Sequence, residues 1–378
     1  MLGFKQLKEL SFIGSADIIG TSATAIFWFI LASQISPEEY GELFYFIGIA
    51  AIAASFVLVG AQNTITVYSS KNLKIESTLY FISLILGIIA SFVIIIIFYK
   101  IDIVFLLFGY IINTLAIGQL LGRKLFSQYS KYTLIQKFLT VGLGLLAFVF
   151  FGTEGIIAAL SITYIFFIII IFKQFKETKI DFSLLKNRTK FILNNYVVEV
   201  LTKLNSHLNK FLIVPILGFA ILGNFHLALQ VVNIGLIFTM IVFKYTIPYD
   251  SRGQENKKLK KFTLIVAIIF AIVGSLISPY IVPTIFPEYT EVIDVIQIIS
   301  FSLIPMTITR IFSSTLLGQE NNKRIVYSKI VSITTFIVGI LLLASEYGIY
   351  GLAISYMLST IFEAVCLIPY SKKLLLKE

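Results

Sequence analysis

The sequence predicts an all-α integral membrane protein of about twelve transmembrane helices, in two six-helix lobes related by a parallel pseudo-two-fold repeat. Three observations predict it. The 378 residues are 58% hydrophobic and only 13% charged, whereas about a quarter of a soluble domain is charged. Apolar runs of roughly 20 residues, long enough to cross a bilayer, recur along the whole chain. Basic residues are concentrated in alternate loops.

The expected spans are 11–33, 41–66, 77–99, 103–121, 132–151, 154–173, 191–217, 220–246, 262–285, 290–317, 325–345 and 347–370. Breakers separate them: Ser36-Pro37, Asn72, Gly152, Gly218, Pro248, Pro287, Gly318 and Gly348. Ser11–Ala32 is long and no small-residue cleavage site follows a short core, so it reads as a retained helix.

Of the 30 basic residues, 26 fall on one side of this arrangement: Lys5 and Lys8; Lys71 and Lys74; Arg123 to Lys137; six in 173–190; six in 244–261; Lys323 to Lys329; and Lys372 to Lys377. The other side carries Lys100 beside Glu38, Glu39, Glu154, Glu288, Glu291 and Glu346. The positive-inside rule then places both termini in the cytoplasm and requires an even number of spans. The net charge of +10 thus belongs to topology and anionic headgroups, not to nucleic acid. The expected lobes are 1–173 and 191–378, joined by a basic cytoplasmic linker at 174–190.

Internal similarity supports the division. A shift of 182 residues brings Asp17 onto Glu199, Gly41 onto Gly223, and Tyr40–Phe44 onto Leu222–His226. Near the ends of the halves, Gly155–Ala159 resembles Gly348–Leu352 at a shift of 193. Six helices per half give both halves one orientation, a parallel repeat of the kind transporters build around a central site.

Charges inside spans mark the candidate site, because each costs at least ~2.5 kcal/mol at the bilayer centre unless it faces a cavity or a partner. The seventh span carries Asn195, Glu199, Lys203, Ser206 and Lys210 at steps of 4, 4, 3 and 4. At ~100° per residue they share about 80° of arc. Thr202, His207 and Asn209 widen this face. A surface-lying amphipathic helix is the alternative, but losing this span would upset the charge alternation. The eighth span adds His226, Gln230 and Asn233 on one face. Asp17, repeat mate of Glu199, is a candidate for ion coupling with it, or a buried partner for a lysine of another helix. Arg310 in the tenth span either snorkels or lines the cavity. Two histidines and the single Cys366 exclude a disulfide within the chain and leave no metal cluster. There is no phosphate-binding glycine loop, nucleophile elbow or zinc-type histidine pair, so neither an enzyme nor a cofactor is expected.

Four segments carry a family resemblance: Ile35-Ser36-Pro37-Glu38-Glu39-Tyr40-Gly41, Leu222-Gly223-Asn224-Phe225, Leu317-Gly318-Gln319-Glu320-Asn321-Asn322-Lys323, and Tyr347-Gly348-Ile349-Tyr350-Gly351-Leu352-Ala353. In this order the chain resembles the polysaccharide-transport branch of the multidrug/oligosaccharidyl-lipid/polysaccharide flippase superfamily, which includes the O-antigen flippases. The resemblance implies a flippase for a lipid-linked oligosaccharide in the cell membrane. Its first and seventh helices would line a cavity, and Lys203 and Lys210 would offer a cationic wall to a diphosphate. Membrane lipids and polysaccharide-assembly proteins are the implied partners. A drug or small-solute exporter of the same superfamily is the main alternative. A membrane-embedded polymerase or glycosyltransferase is another, though the external loop or acidic cluster such enzymes need is missing.

Overall fold

In the computed structural model, residues 4–186, 188–250, 256–318 and 322–375 are described. Parts of the loop 247–261 (251–255) and of the turn Leu317–Lys323 (319–321), together with residue 187 of the linker, lie outside them. The helices are α1 (Phe4–Ala32), α2 (Pro37–Val57), α3 (Ala61–Ser70), α4 (Glu76–Phe98), α5 (Ile101–Gly122), α6 (Phe126–Phe151), α7 (Glu154–Ile162), α8 (Ile168–Glu177), α9 (Ser183–Lys186), α10 (Thr189–Asp250), α11 (Lys257–Ile285), α12 (Val292–Ile299), α13 (Leu303–Gly318), α14 (Asn322–Gly339) and α15 (Ser345–Leu375). The described residues contain no strand.

Ten stretches are long and apolar enough to cross a membrane among the described residues. Two of these, Ser206–Phe243 and Lys323–Ile368, contain a glycine with non-helical dihedrals: Gly218 (φ 84, ψ 176) and Gly348 (φ 55, ψ −130). Such backbone conformations are open to glycine at no steric cost. Each glycine divides one continuous apolar run into two arms, which brings ten stretches to twelve. The chain is a multi-pass all-α membrane protein.

Two spans differ from the sequence expectation. The second, read as unbroken over 41–66, breaks at Val59 (φ 50) and Gly60 (φ 67) between α2 and α3. A Cβ on Gly60 would lie 2.6 Å from the Tyr196 backbone nitrogen, so the helix breaks where α10 crosses it. The break is internally satisfied: Ala61 N–H donates to the Leu58 carbonyl (2.9 Å), and Thr64 Oγ1 donates to the Gly60 carbonyl (2.8 Å), as backbone at membrane depth requires. Lys137, counted above with the loop cations, lies in the middle of α6.

The chain forms two units. The first comprises Met1–Leu31 and Leu43–Leu208; the second comprises Ala32–Glu42 and Asn209–Glu378. In the first, α5 packs against α3, α4 and α7. In the second, α15 packs against α12, α13 and α14, and α11 against α12 and α13. The entry to α2 belongs to the second unit and is closed by a capping box. Ser36 N–H and Oγ both donate to Glu39 Oε2 (3.0 and 2.9 Å), and Glu39 N–H donates to Ser36 Oγ (3.3 Å). Pro37 occupies the first helical position, where its missing N–H costs nothing.

Candidate functional site

The polar face of α10 begins in the first unit. Asn195 Nδ2 donates to the Phe191 carbonyl (3.0 Å) and Ser206 Oγ to the Thr202 carbonyl (3.0 Å), so both side chains bond within their own helix. Glu199 and Lys203, one turn apart, act on each other electrostatically. Lys203 is exposed. One oxygen of Glu199 is buried without a hydrogen-bond partner among the described residues.

Further along, Asn209 and Lys210 belong to the second unit and are buried, at 7% and 3% exposure. Asn209 Oδ1 accepts from the Lys210 backbone N–H (2.9 Å). A buried lysine in an apolar span is the costliest residue of the set, and sequence alone did not distinguish its burial from the exposure of Lys203. Asp294, a conceivable partner by depth, accepts from Tyr350 Oη at 2.6 Å.

The second arm of α10 contributes His226, Gln230 and Asn233. Gln230 Nε2 donates to Tyr40 Oη (3.2 Å), and the His226 and Tyr40 rings are 6.2 Å apart. Tyr40 also meets Tyr289 edge-on at 6.1 Å, and Tyr289 Oη donates to the Ile35 and Ser36 carbonyls (3.2 and 3.4 Å). Tyr40 and Tyr289 are fully buried; neither is among the candidate site residues read from the sequence, because each directly follows a glutamate (Glu39, Glu288) between spans or at a span entry, where the sequence gives no sign of burial. Asn233 is exposed.

Asp17 lies on α1 in the first unit. Its Oδ1 accepts from Tyr129 Oη (3.0 Å), and its charge acts on Lys137. In the second unit, Arg310 of α13 feels the charge of Glu363 and the phenol of Tyr356, both on α15. Glu363 also pairs with Lys329 of α14 (3.5 Å). Among the described residues no group of three histidine, cysteine, aspartate or glutamate side chains could hold a metal ion.

Comparisons with known proteins add a fold likeness. No family model matches, and no curated protein matches. Among solved structures, the inward-facing form of a multidrug resistance MATE transporter of the MOP superfamily aligns with TM-score 0.67 at 15% identity, over 93% of this chain and 94% of that one. Lipid II flippase MurJ in an inward closed conformation aligns with TM-score 0.74 at 14% identity, over 95% of this chain and 87% of that one. A MOP-superfamily transporter from Pyrococcus furiosus, described as having a binding pocket of reverse polarity, aligns with TM-score 0.65 at 15% identity, over 97% and 95%. The chain therefore has the fold of these transporters.

Proposed function

We propose that this protein is a transporter that flips a lipid-linked, diphosphate-bearing oligosaccharide from the cytoplasmic to the outer leaflet by alternating access, for cell-surface polysaccharide assembly. The observation that carries the reading is Lys210, a lysine buried to 3% exposure on the polar face of α10. A desolvated cation attracts a diphosphate with less screening than in bulk water. The fold shared with a lipid II flippase supports a lipid-linked cargo. Asn195, Lys203, Ser206, His226, Gln230, Asn233 and Arg310 would contribute further polar contacts to cargo, and Asp17 and Glu199 would couple transport to an ion gradient. In this reading both termini lie in the cytoplasm and the O-antigen-type branch is the nearest functional analogue.

Export of a drug or small solute is the second reading, favoured by the multidrug transporters that share the fold. A cationic drug would be repelled by Lys210, and a neutral sugar would gain nothing from it.

Transport of a fluorescent lipid-diphosphate oligosaccharide in proteoliposomes tests the proposal. Lys210→Gln should be produced in normal amount and fail to translocate it, and Lys210→Arg should keep part of the activity. Translocation at the parental rate by Lys210→Gln would overturn the cationic-site reading. Degradation of Lys210→Gln without rescue by arginine would make the lysine a packing residue.

A further inference from the structure

The charges around Arg310 do not balance. Arg310 lies in the span Val292–Leu316, and the carboxylate whose charge acts on its guanidinium is Glu363. Packing sets its direction. Met306 is one turn earlier on α13, hence on the same face. The Met306 sulfur accepts from Tyr356 Oη (3.7 Å), and the Tyr356 ring stands 5.7 Å from Phe225 and 5.9 Å from Phe336. The second arm of α10, α13, α14 and α15 therefore converge on Tyr356, so Arg310 faces the interior of the second unit and not lipid.

Among the described residues, the carboxylate that acts on Arg310 is shared. Glu363, 12% exposed, pairs at 3.5 Å with Lys329, 36% exposed, while also acting on Arg310. Among the described residues, two cations against one carboxylate leave a local charge of +1. Arg310 is eight residues from the end of α13 and Lys329 seven from the start of α14, which at ~1.5 Å per residue puts both ~10–12 Å inside their helix ends. An uncompensated guanidinium at that depth is costly, and an anion relieves it best when it accepts a forked pair of N–H bonds.

We propose that Arg310 and Lys329 form a phosphate-binding subsite inside the second unit, with Glu363 as the internal counter-ion that a lipid-linked phosphate displaces. This rests on the reading of the cargo as an anionic lipid, and it adds to the α10 face a second, separate point of phosphate contact. Arg310 supplies the fork. Lys329, half-exposed on a flexible stem, moves from Glu363 to the phosphate. A purely structural ion cluster has the same members but the opposite response to losing its carboxylate.

The test is a titration of the full-length protein in phosphatidylcholine nanodiscs with a polyprenyl diphosphate, with the neutral polyprenol as control. The parent should bind the diphosphate about tenfold more tightly than the polyprenol. Arg310→Gln and Lys329→Gln should each lose most of that difference, and Arg310→Lys should keep part of it. Glu363→Gln should bind the diphosphate more tightly than the parent, because it frees both cations. Unchanged binding in Arg310→Gln, or weaker binding in Glu363→Gln, overturns the subsite. Competition by phosphatidylglycerol supports a phosphate site that also accepts bulk lipid, and its absence assigns the site to the diphosphate. Because the readout is binding, it is independent of the Lys210→Gln transport assay: unimpaired transport there removes the α10 reading and leaves this result standing.

Discussion

Gly41 and Gly223 pack reciprocally, each against the carbonyl that begins the other's helix. A Cβ on Gly41 would lie 2.8 Å from the Phe219 carbonyl carbon, and one on Gly223 would lie 2.8 Å from the Pro37 carbonyl carbon. Either would overlap the carbonyl oxygen itself. Gly41 and Gly223 are 182 residues apart, as are Pro37 and Phe219, so the contact obeys the internal repeat. It is a small-residue crossing of the kind that lets membrane helices approach closely.

That reciprocity predicts non-additive damage. Gly41→Ala and Gly223→Ala should each lower the stability of the purified protein by ~1–3 kcal/mol through overpacking. The double variant should lose less than the two combined, since the first substitution already separates the helices. Melting curves in detergent read this out, and strictly additive losses would refute a shared contact.

Arg123 binds together the inner polar network of the first unit. It donates to Glu177 Oε2 (3.0 Å) and Gln174 Oε1 (2.6 Å) and lies 3.9 Å from Glu76, a carboxylate 3% exposed. Gln174 also accepts from Gln119 (2.6 Å), and Ser69 donates to Glu76 (2.7 Å). Arg123→Met strands a buried carboxylate and should cost ~3 kcal/mol or more. Lys173→Met removes an exposed partner of Glu177, 3.9 Å away, and should cost less than ~1 kcal/mol. Equal losses in the two variants would show that the network does not concentrate its stabilisation at Glu76.

Asp17 allows two outcomes to be told apart. With Tyr129 donating to it at 3.0 Å, Tyr129→Phe should weaken the site by about 1 kcal/mol without abolishing transport. If Asp17 carries a coupling proton, Asp17→Asn transport becomes independent of the proton gradient while the fold survives. Persisting gradient dependence in Asp17→Asn would remove the residue from coupling and leave it as an acceptor for Tyr129.

Topology follows from the charge pattern. Reporter fusions at Ser36 and Glu288 should report the outer side, and fusions at Lys179 and Lys258 the cytoplasm. A cytoplasmic signal at Glu288 would break the twelve-span scheme.

The sequence by itself determined what depends on local chemistry. Apolar length gave the spans, the steps from Asn195 to Lys210 gave one polar helix face, and Asn72, Gly152, Gly218 and Gly348 marked breaks that the structure makes at positive φ. It could not show the break at Gly60, because the backbone that approaches there, that of Tyr196, is distant in sequence. Nor could it separate exposed Lys203 from buried Lys210, or join Asp17 to Tyr129 and Arg310 to Glu363. A charge in a span announces its own cost, whereas the partner that offsets it sits on another helix, and only tertiary packing selects which.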